Sequence, residues 1–473
     1  MELTNLSAGK LAALMRGREV SPVEVVEAYL RRIERLNPGI NAIVTLAPDA
    51  FARAREAESA IMRGQEIGSL HGVPVTVKDT IETKGLKTTS GSPLRKQHVP
   101  GEDAPAVASL KAAGAILIGK TNVPEMAIPY ECDNPVFGRT NNPHDTARTS
   151  GGSSGGCAAA ISACLSPAGL GSDLSGSIRV PAHFCGIFGL KPTIGRVSCD
   201  GHFPPATGAL SLGAVLGPMA RHVEDLSLFL NVLTGLDAPS SVNMPGQQSL
   251  GAQLKDMRGC RVASYVNQSS SAVTVETQQA IDAAMRVLAE AGFVISEESP
   301  PGVERAAALW PALFSRASMI QLRGVYTGEE EKAGAVVRAV LASADKQPPP
   351  SLDESVSAWT ERDRLRLDLF KWMKRTPLII APVGAVPAFR HGTRRVKVGE
   401  QEQSVFHAFS YARAFNVLGL PCVSVPVGRS REGLPIGVQI IGRPFAEETV
   451  LAAASVIEDA LGGWMQPPGA TMA

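Results

Sequence analysis

The chain has 473 residues, 44 % of them hydrophobic and 19 % charged, and Lys+Arg 46 balances Asp+Glu 45 to leave a formal net charge of +1. These values describe an ordinary globular protein and argue against a nucleic-acid partner: no Lys/Arg block forms a polyanion-binding face, and 5 % aromatics are too few for a base-stacking platform. Seven cysteines are scattered singly without a C-x-x-C pair, which points to a reducing, cytoplasmic setting and no structural zinc.

The N-terminal stretch MELTNLSAGKLAALMRGREV lacks a basic flank, an apolar core and a cleavage site, so no secretory signal is expected. The first clear helix starts at Ser21, where S-P-V-E supplies an N-cap, a proline at the first helical position and Glu24 to close a capping box. Val26, Tyr29, Leu30 and Ile33 share a face, and Pro38 is expected to end the helix. Residues 73–78 read as a strand, with Val73, Val75 and Val77 on one face and Thr76 and Lys78 on the other. A helix is expected over 106–113. The next segment, GAILIGKT at 114–121, satisfies the phosphate-binding pattern G-x-x-x-x-G-K-[ST] letter for letter. That pattern needs strand, loop and helix in that order. Here the order is helix, Gly114 as a left-handed cap, then a buried strand at 115–118, and Pro124 prevents a helix from starting after Lys120. ATP binding is not expected.

GGSSGG at 151–156 fits the serine-elbow pattern G-x-S-x-G in two registers. The elbow requires an apolar strand before it, and GRTNNPHDTARTS is polar and turn-forming; neither His391 nor His407 is positioned to complete such a site. The loop instead opens into a small-residue helix at 158–165. The apolar run 157–170 is too short for a membrane span and is broken by Ser162, Ser166 and Pro167. Further strands are expected at 262–266, 378–381, 423–427 and 436–441, and a helix at 274–291. Strands alternating with helices point to an α/β protein built on a large, mostly parallel sheet. The linker candidates 238–251 and 344–352 read equally well as surface loops.

Three segments become informative together: HGVPVTVKD around Lys78, TSGGSSGGCAAA around Ser153, and GLGSDLSGSIRVPAHFCGIFGLKPT around Ser177. They closely resemble the amidase signature family, which pairs a strand-ending lysine with a Gly/Ser-rich loop and places the nucleophilic serine 24 residues after the first serine of that loop, the spacing of Ser153 and Ser177. YECDNPVFGRTNNPHD and GLPCVSVPVGRSREGLPIGVQIIGRP extend the resemblance over most of the chain, and about 235–375 is its least typical part. The resemblance implies a single domain over 1–473, with a signature core at about 70–200 and one large mixed, mostly parallel sheet covered by helices on both faces. It also implies Ser177 as nucleophile, Ser153 as a bridging serine in a cis peptide, and Lys78 as base.

The chemistry supports these roles. Ser177 is a weak nucleophile at its free pKa and needs a neighbouring base. None of the eight histidines lies in the Gly/Ser loop or between 169 and 180. A lysine serves if burial keeps it neutral, and a second hydroxyl such as Ser153 can pass the proton where the two do not touch. The turn Leu174-Ser175-Gly176-Ser177 offers successive backbone N–H groups that match the family's oxyanion hole. The family commonly has glycine where Ser175 stands, so a side chain here sits beside the nucleophile. Asp173 and Arg179 are read either as electrostatic support or, preferentially, as an ion pair that shapes the turn. Ser154 is a supporting hydrogen-bond candidate and Cys157 a small core residue.

NVPEMAIPYE matches a region that lines the acyl side of the family's pocket, which makes Met126, Ala127 and Ile128 candidates for substrate contact beside a plain core role. Leu309, Trp310, Leu313, Phe314, Met319 and Ile320 form an amphipathic set read as helical core or pocket mouth. The expected substrate is a small amide with an apolar part, or a related ester or carbamate. No metal, cofactor, nucleic acid or membrane span is expected, and a homodimer is left open. The alternatives are a glutaminase-type subunit of a tRNA-dependent amidotransferase and a non-catalytic binding protein on the same scaffold.

Overall fold

The computed structural model describes residues 2–234, 257–266, 272–346 and 350–468; the linker candidate 238–251 lies outside them, as do residues 347–349 of the other. Its frame is a sheet of 11 strands. In chain order these are β1 (Ile43–Leu46), β2 (Pro74–Lys78), β3 (Ile116–Thr121), β4 (Ala168–Asp173), β5 (Phe188–Lys191) and β6 (Val215–Ala220). They are followed by β7 (Arg261–Ser264), β8 (Val294–Ser296), β9 (Leu378–Pro382), β10 (Cys422–Arg429) and β11 (Pro435–Ile441). Across the sheet they lie in the order β1-β3-β2-β4-β6-β5-β10-β11-β9-β7-β8.

Alternate side chains of the strands fill two cores. In β9, Leu378 and Ile380 enter one core with Val423 and Ile440, while Ile379 and Ala381 enter the other with Cys422 and Ile441. The first core is covered by helices Pro22–Ile40, Ala50–Met62, Val223–Leu233, Val275–Glu290 and Glu447–Leu461. The second is covered by Val303–Trp310, Leu352–Trp372 and Ser410–Val417. A mixed sheet with helices on both faces is the α/β arrangement expected.

The expectation that the sheet is mostly parallel is corrected. β2/β3, β2/β4, β9/β7 and β7/β8 pair parallel, and the other six pairings are antiparallel. Strand–helix alternation sets the direction of a strand but not its neighbour. β4 and β5, joined through helix Arg179–Cys185, are not adjacent, because β6 inserts between them antiparallel to both. A tight turn after Arg429 likewise folds β11 back on β10.

A second correction concerns the helix that begins at Pro22. It carries the expected capping box from Ser21 and Glu24 but continues through Pro38 to Ile40. Pro38 cannot donate to the Glu34 carbonyl, so one intrahelical bond is lost, and only Gly39 and Ile40 follow it in the helix. Asn41 then closes the helix in a left-handed conformation, donating to the Asn37 carbonyl at 2.6 Å.

Candidate active site

β2 and β4 run side by side in parallel, Val77 opposite Leu170, so their C-terminal ends bring Lys78 beside Ser172 and Asp173. Both strands are fully buried. The glycine-serine loop passes over this end, with a cis peptide at Gly152–Ser153, and enters helix Gly155–Ser162 directly. Lys78 Nζ lies 2.6 Å from Ser153 Oγ, 2.9 Å from Ser172 Oγ and 3.4 Å from the Ser172 carbonyl. Burial pushes the Lys78 pKa down to about 7, only partly opposed by the Asp173 carboxylate. Near neutral pH the neutral, proton-accepting form of the amine is therefore accessible. Burial pushes the Cys157 thiol up to about 11, which keeps it a protonated core group and not a nucleophile.

After β4 the chain turns through 174–178 into helix Arg179–Cys185. Asp173 holds this turn: its carboxylate accepts from Gly176 N–H at 2.8 Å, Ile178 N–H at 3.1 Å and Asn416 Nδ2 at 2.9 Å. Arg179 donates to both of its oxygens at 3.1 Å and on to Gln439 and Asn416, all of it buried. Burial alone would raise the Asp173 pKa; the Arg179 guanidinium beside it outweighs that and holds the carboxyl well below the usual range. Asp173 and Arg179 form a fully buried ion pair at this turn.

The same bonds correct one oxyanion assignment. The Gly176 amide is turned toward Asp173 and has no free donor for a substrate. Gly176 is required for another reason: its φ is +108°, and an added Cβ would stand 2.7 Å from the Ala412 Cβ. The amides of Leu174, Ser175 and Ser177 make no hydrogen bond among the described residues, and these three residues line the cavity. Their carbonyl sides are anchored, with Tyr130 Oη donating to the Ser175 carbonyl at 2.6 Å and Trp310 Nε1 to the Leu174 carbonyl at 2.9 Å. Ser154 N–H donates to the Ser177 carbonyl at 3.1 Å, and Ser154 Oγ donates to the Ser172 carbonyl at 3.3 Å. Ser153 and Ser177 both line the cavity, and no hydrogen bond joins their hydroxyls.

The cavity above them is about 730 Å³. Met126, Ala127 and Ile128 line it, as do Trp310 and Met319, whereas Leu309, Leu313 and Phe314 belong to the second core and Ile320 is exposed. Its wall is mainly apolar, with Leu210, Leu216, Leu322, Val340 and Phe406 among its residues. Among the wall residues that the sequence expectations omit, two are linked to Lys78. Ser172 touches Lys78, and His202 Nε2 is 3.0 Å from Ser172 Oγ. The Lys78 strand pattern holds no sign of either, because the contacts span 94 and 30 positions.

GAILIGKT folds as expected: helix Pro105–Ala112, Gly114 at φ +87°, then β3, which extends through Lys120 and Thr121. Lys120 is buried and donates to the Ile81 carbonyl, Thr83 Oγ1 and Thr88 Oγ1.

Comparison with known proteins adds independent weight. The amidase family model matches residues 24–451. A subunit of the glutamyl-tRNA(Gln) amidotransferase of Carboxydothermus hydrogenoformans is 34 % identical over 483 residues, covering 97 % of this chain and 98 % of its own. A solved structure of a vestigial protein complex tied to the origins of an s-triazine catabolic enzyme superposes with a TM-score of 0.90 at 29 % identity, covering 98 % of this chain and 100 % of that one. A bacterial aryl acylamidase of the amidase signature family superposes with a TM-score of 0.85 at 27 % identity, covering 96 % of each chain.

Proposed function

This chain belongs to the amidase signature family, and from that premise we propose that it hydrolyses carboxylic amide bonds through an acyl-enzyme on Ser177. The observation that carries this reading is the buried Lys78 amine, its pKa near 7, set 2.6 Å from Ser153 on the floor of the cavity that Ser177 lines. In the first half-reaction, Ser177 Oγ bonds to the carbonyl carbon, its proton passes to Ser153 Oγ, and the Ser153 proton passes to Lys78 Nζ. The amides of Leu174, Ser175 and Ser177 face the developing oxyanion. Collapse breaks the C–N bond, and the proton returns through Ser153 to the departing amine. Water then releases the acid by the same route. An ester or carbamate fits the same steps.

The apolar wall favours an amide with an apolar acyl part. A second reading, release of ammonia from glutamine within an amidotransferase complex, rests on the full-length similarity to the amidotransferase relative, which supports it more directly than any sequence relative supports the first. The name of that relative includes a tRNA, so the expectation of no nucleic-acid partner belongs to the first reading only.

The test is hydrolysis by the purified chain of an anilide of an apolar acid and of glutamine, beside Ser177→Ala. Anilide turnover that Ser177→Ala abolishes supports the first reading. Glutamine turnover alone, or only with added partner subunits, supports the second. Equal rates for wild type and Ser177→Ala would leave only a binding protein.

A further inference from the structure

His202 sits in a segment clamped beside the catalytic strand: its backbone bridges Ile81, and Phe203 N–H donates to the Thr80 carbonyl at 2.7 Å. Its two ring nitrogens have different partners. Nδ1 is 2.8 Å from the Pro204 carbonyl, which can only accept, so Nδ1 carries the hydrogen. In a neutral ring Nε2 is then an acceptor, and the atom 3.0 Å from it is Ser172 Oγ. Burial, with the Lys78 charge adding to it, lowers the His202 pKa to about 4, which keeps the ring in this neutral form. The Ser172 hydroxyl hydrogen therefore points at His202, and its oxygen is left to accept from Lys78 at 2.9 Å.

This direction matters to the lysine. A neutral amine has two hydrogens and one lone pair. The Ser172 carbonyl at 3.4 Å takes one hydrogen and Ser172 Oγ takes the other. The remaining neighbour is Ser153 Oγ at 2.6 Å, which meets the lone pair. Had Ser172 donated to Lys78 instead, it would have occupied the lone pair that must receive the Ser153 proton.

We propose that His202 is a positioning residue for Lys78: by accepting the Ser172 hydroxyl hydrogen it fixes the direction of the chain His202–Ser172–Lys78, so that the amine turns its lone pair to Ser153. The proposal rests on the Ser177–Ser153–Lys78 reading and adds a residue that touches none of the reacting atoms.

A double-mutant cycle tests it, with the second-order rate of fluorophosphonate adduct formation at Ser177 as the readout and the thermal midpoint of each variant as the check on folding. His202→Leu and Ser172→Ala are each expected to slow labelling about 10- to 100-fold, the scale on which an orienting partner behind an active group acts. The double variant is expected to be no slower than the slower single, because both remove one chain. His202→Gln, which can set an amide oxygen where Nε2 stands, is expected to recover most of the rate. Labelling of His202→Leu at the wild-type rate, or losses that multiply in the double variant, would overturn the proposal. If His202→Leu does not fold, His202→Gln decides the matter: a loss as large as that of Ser172→Ala overturns it. Failure of the underlying reading looks different, since Lys78→Ala would then label as fast as wild type.

Discussion

Lys78 Nζ and Ser153 Oγ lie 2.6 Å apart although 75 positions separate them in the chain. One ends a fully buried strand and the other sits in a loop that crosses the end of that strand. The pair puts a buried amine in line to accept a serine proton, and the expected behaviour of the protein follows from it.

The first consequence is a pH dependence. The Lys78 pKa is lowered to about 7 by burial, so its neutral, proton-accepting form grows as pH rises through that value. The rate of Ser177 labelling should rise with a single proton dependence centred near pH 7 and stay level above it. A profile that is flat from pH 5 to 9, or that rises only near the ordinary lysine range, contradicts the assignment of the base.

The Asp173–Arg179 pair should matter for folding more than for chemistry. Asp173→Ala leaves the Arg179 guanidinium buried without its carboxylate and frees two backbone amides, a loss of about 3–5 kcal/mol in a urea titration. The folded Asp173 pKa is depressed below its unfolded value, so its contribution is present above the ordinary carboxylate range and is lost as pH falls below it. A variant with unchanged urea midpoint would show that the pair does not hold the turn.

Lys120 tests the phosphate-loop resemblance. Its three donors are taken up by Ile81, Thr83 and Thr88, and Asp79 supplies its main counter-charge, so Lys120→Ala should destabilise the fold by about 3 kcal/mol. Calorimetry should detect no ATP binding to the wild-type chain. A saturable ATP isotherm that Lys120→Ala abolishes would reverse this reading.

Legibility in the sequence follows physical range. The alternation in β2 placed Lys78 on a buried strand, and the fixed spacing of Ser153 and Ser177 carried the resemblance that ties them together. β4 and β6 escaped because AGLGSD and VLGPMA are rich in glycine or carry a proline, residues that local propensity assigns to turns. The glycines answer a tertiary demand: a Cβ at Gly169 would meet Thr76 Oγ1 at 2.7 Å and Cys157 Sγ at 2.8 Å. Gly176 read as an oxyanion donor from the motif alone, since only the fold shows Asp173 already holding its amide. His202 stayed out of view because its partner is a serine 30 positions away on β4.

The cavity wall yields a substrate prediction. Met319 is one of the apolar residues lining the cavity, so Met319→Ala should raise KM for an apolar amide about fivefold, near 1 kcal/mol of lost contact, with kcat little changed. The change should be smaller for a short acyl group. Identical KM values across acyl lengths would place the acyl group elsewhere.

The most direct test of the central claim is peptide-mapped labelling of the intact chain by a fluorophosphonate, wild type against Lys78→Ala and Ser153→Ala. One adduct per chain is expected, on Ser177, formed at least about 100-fold more slowly in either variant. An adduct on another residue, or equal rates in wild type and Lys78→Ala, would contradict it.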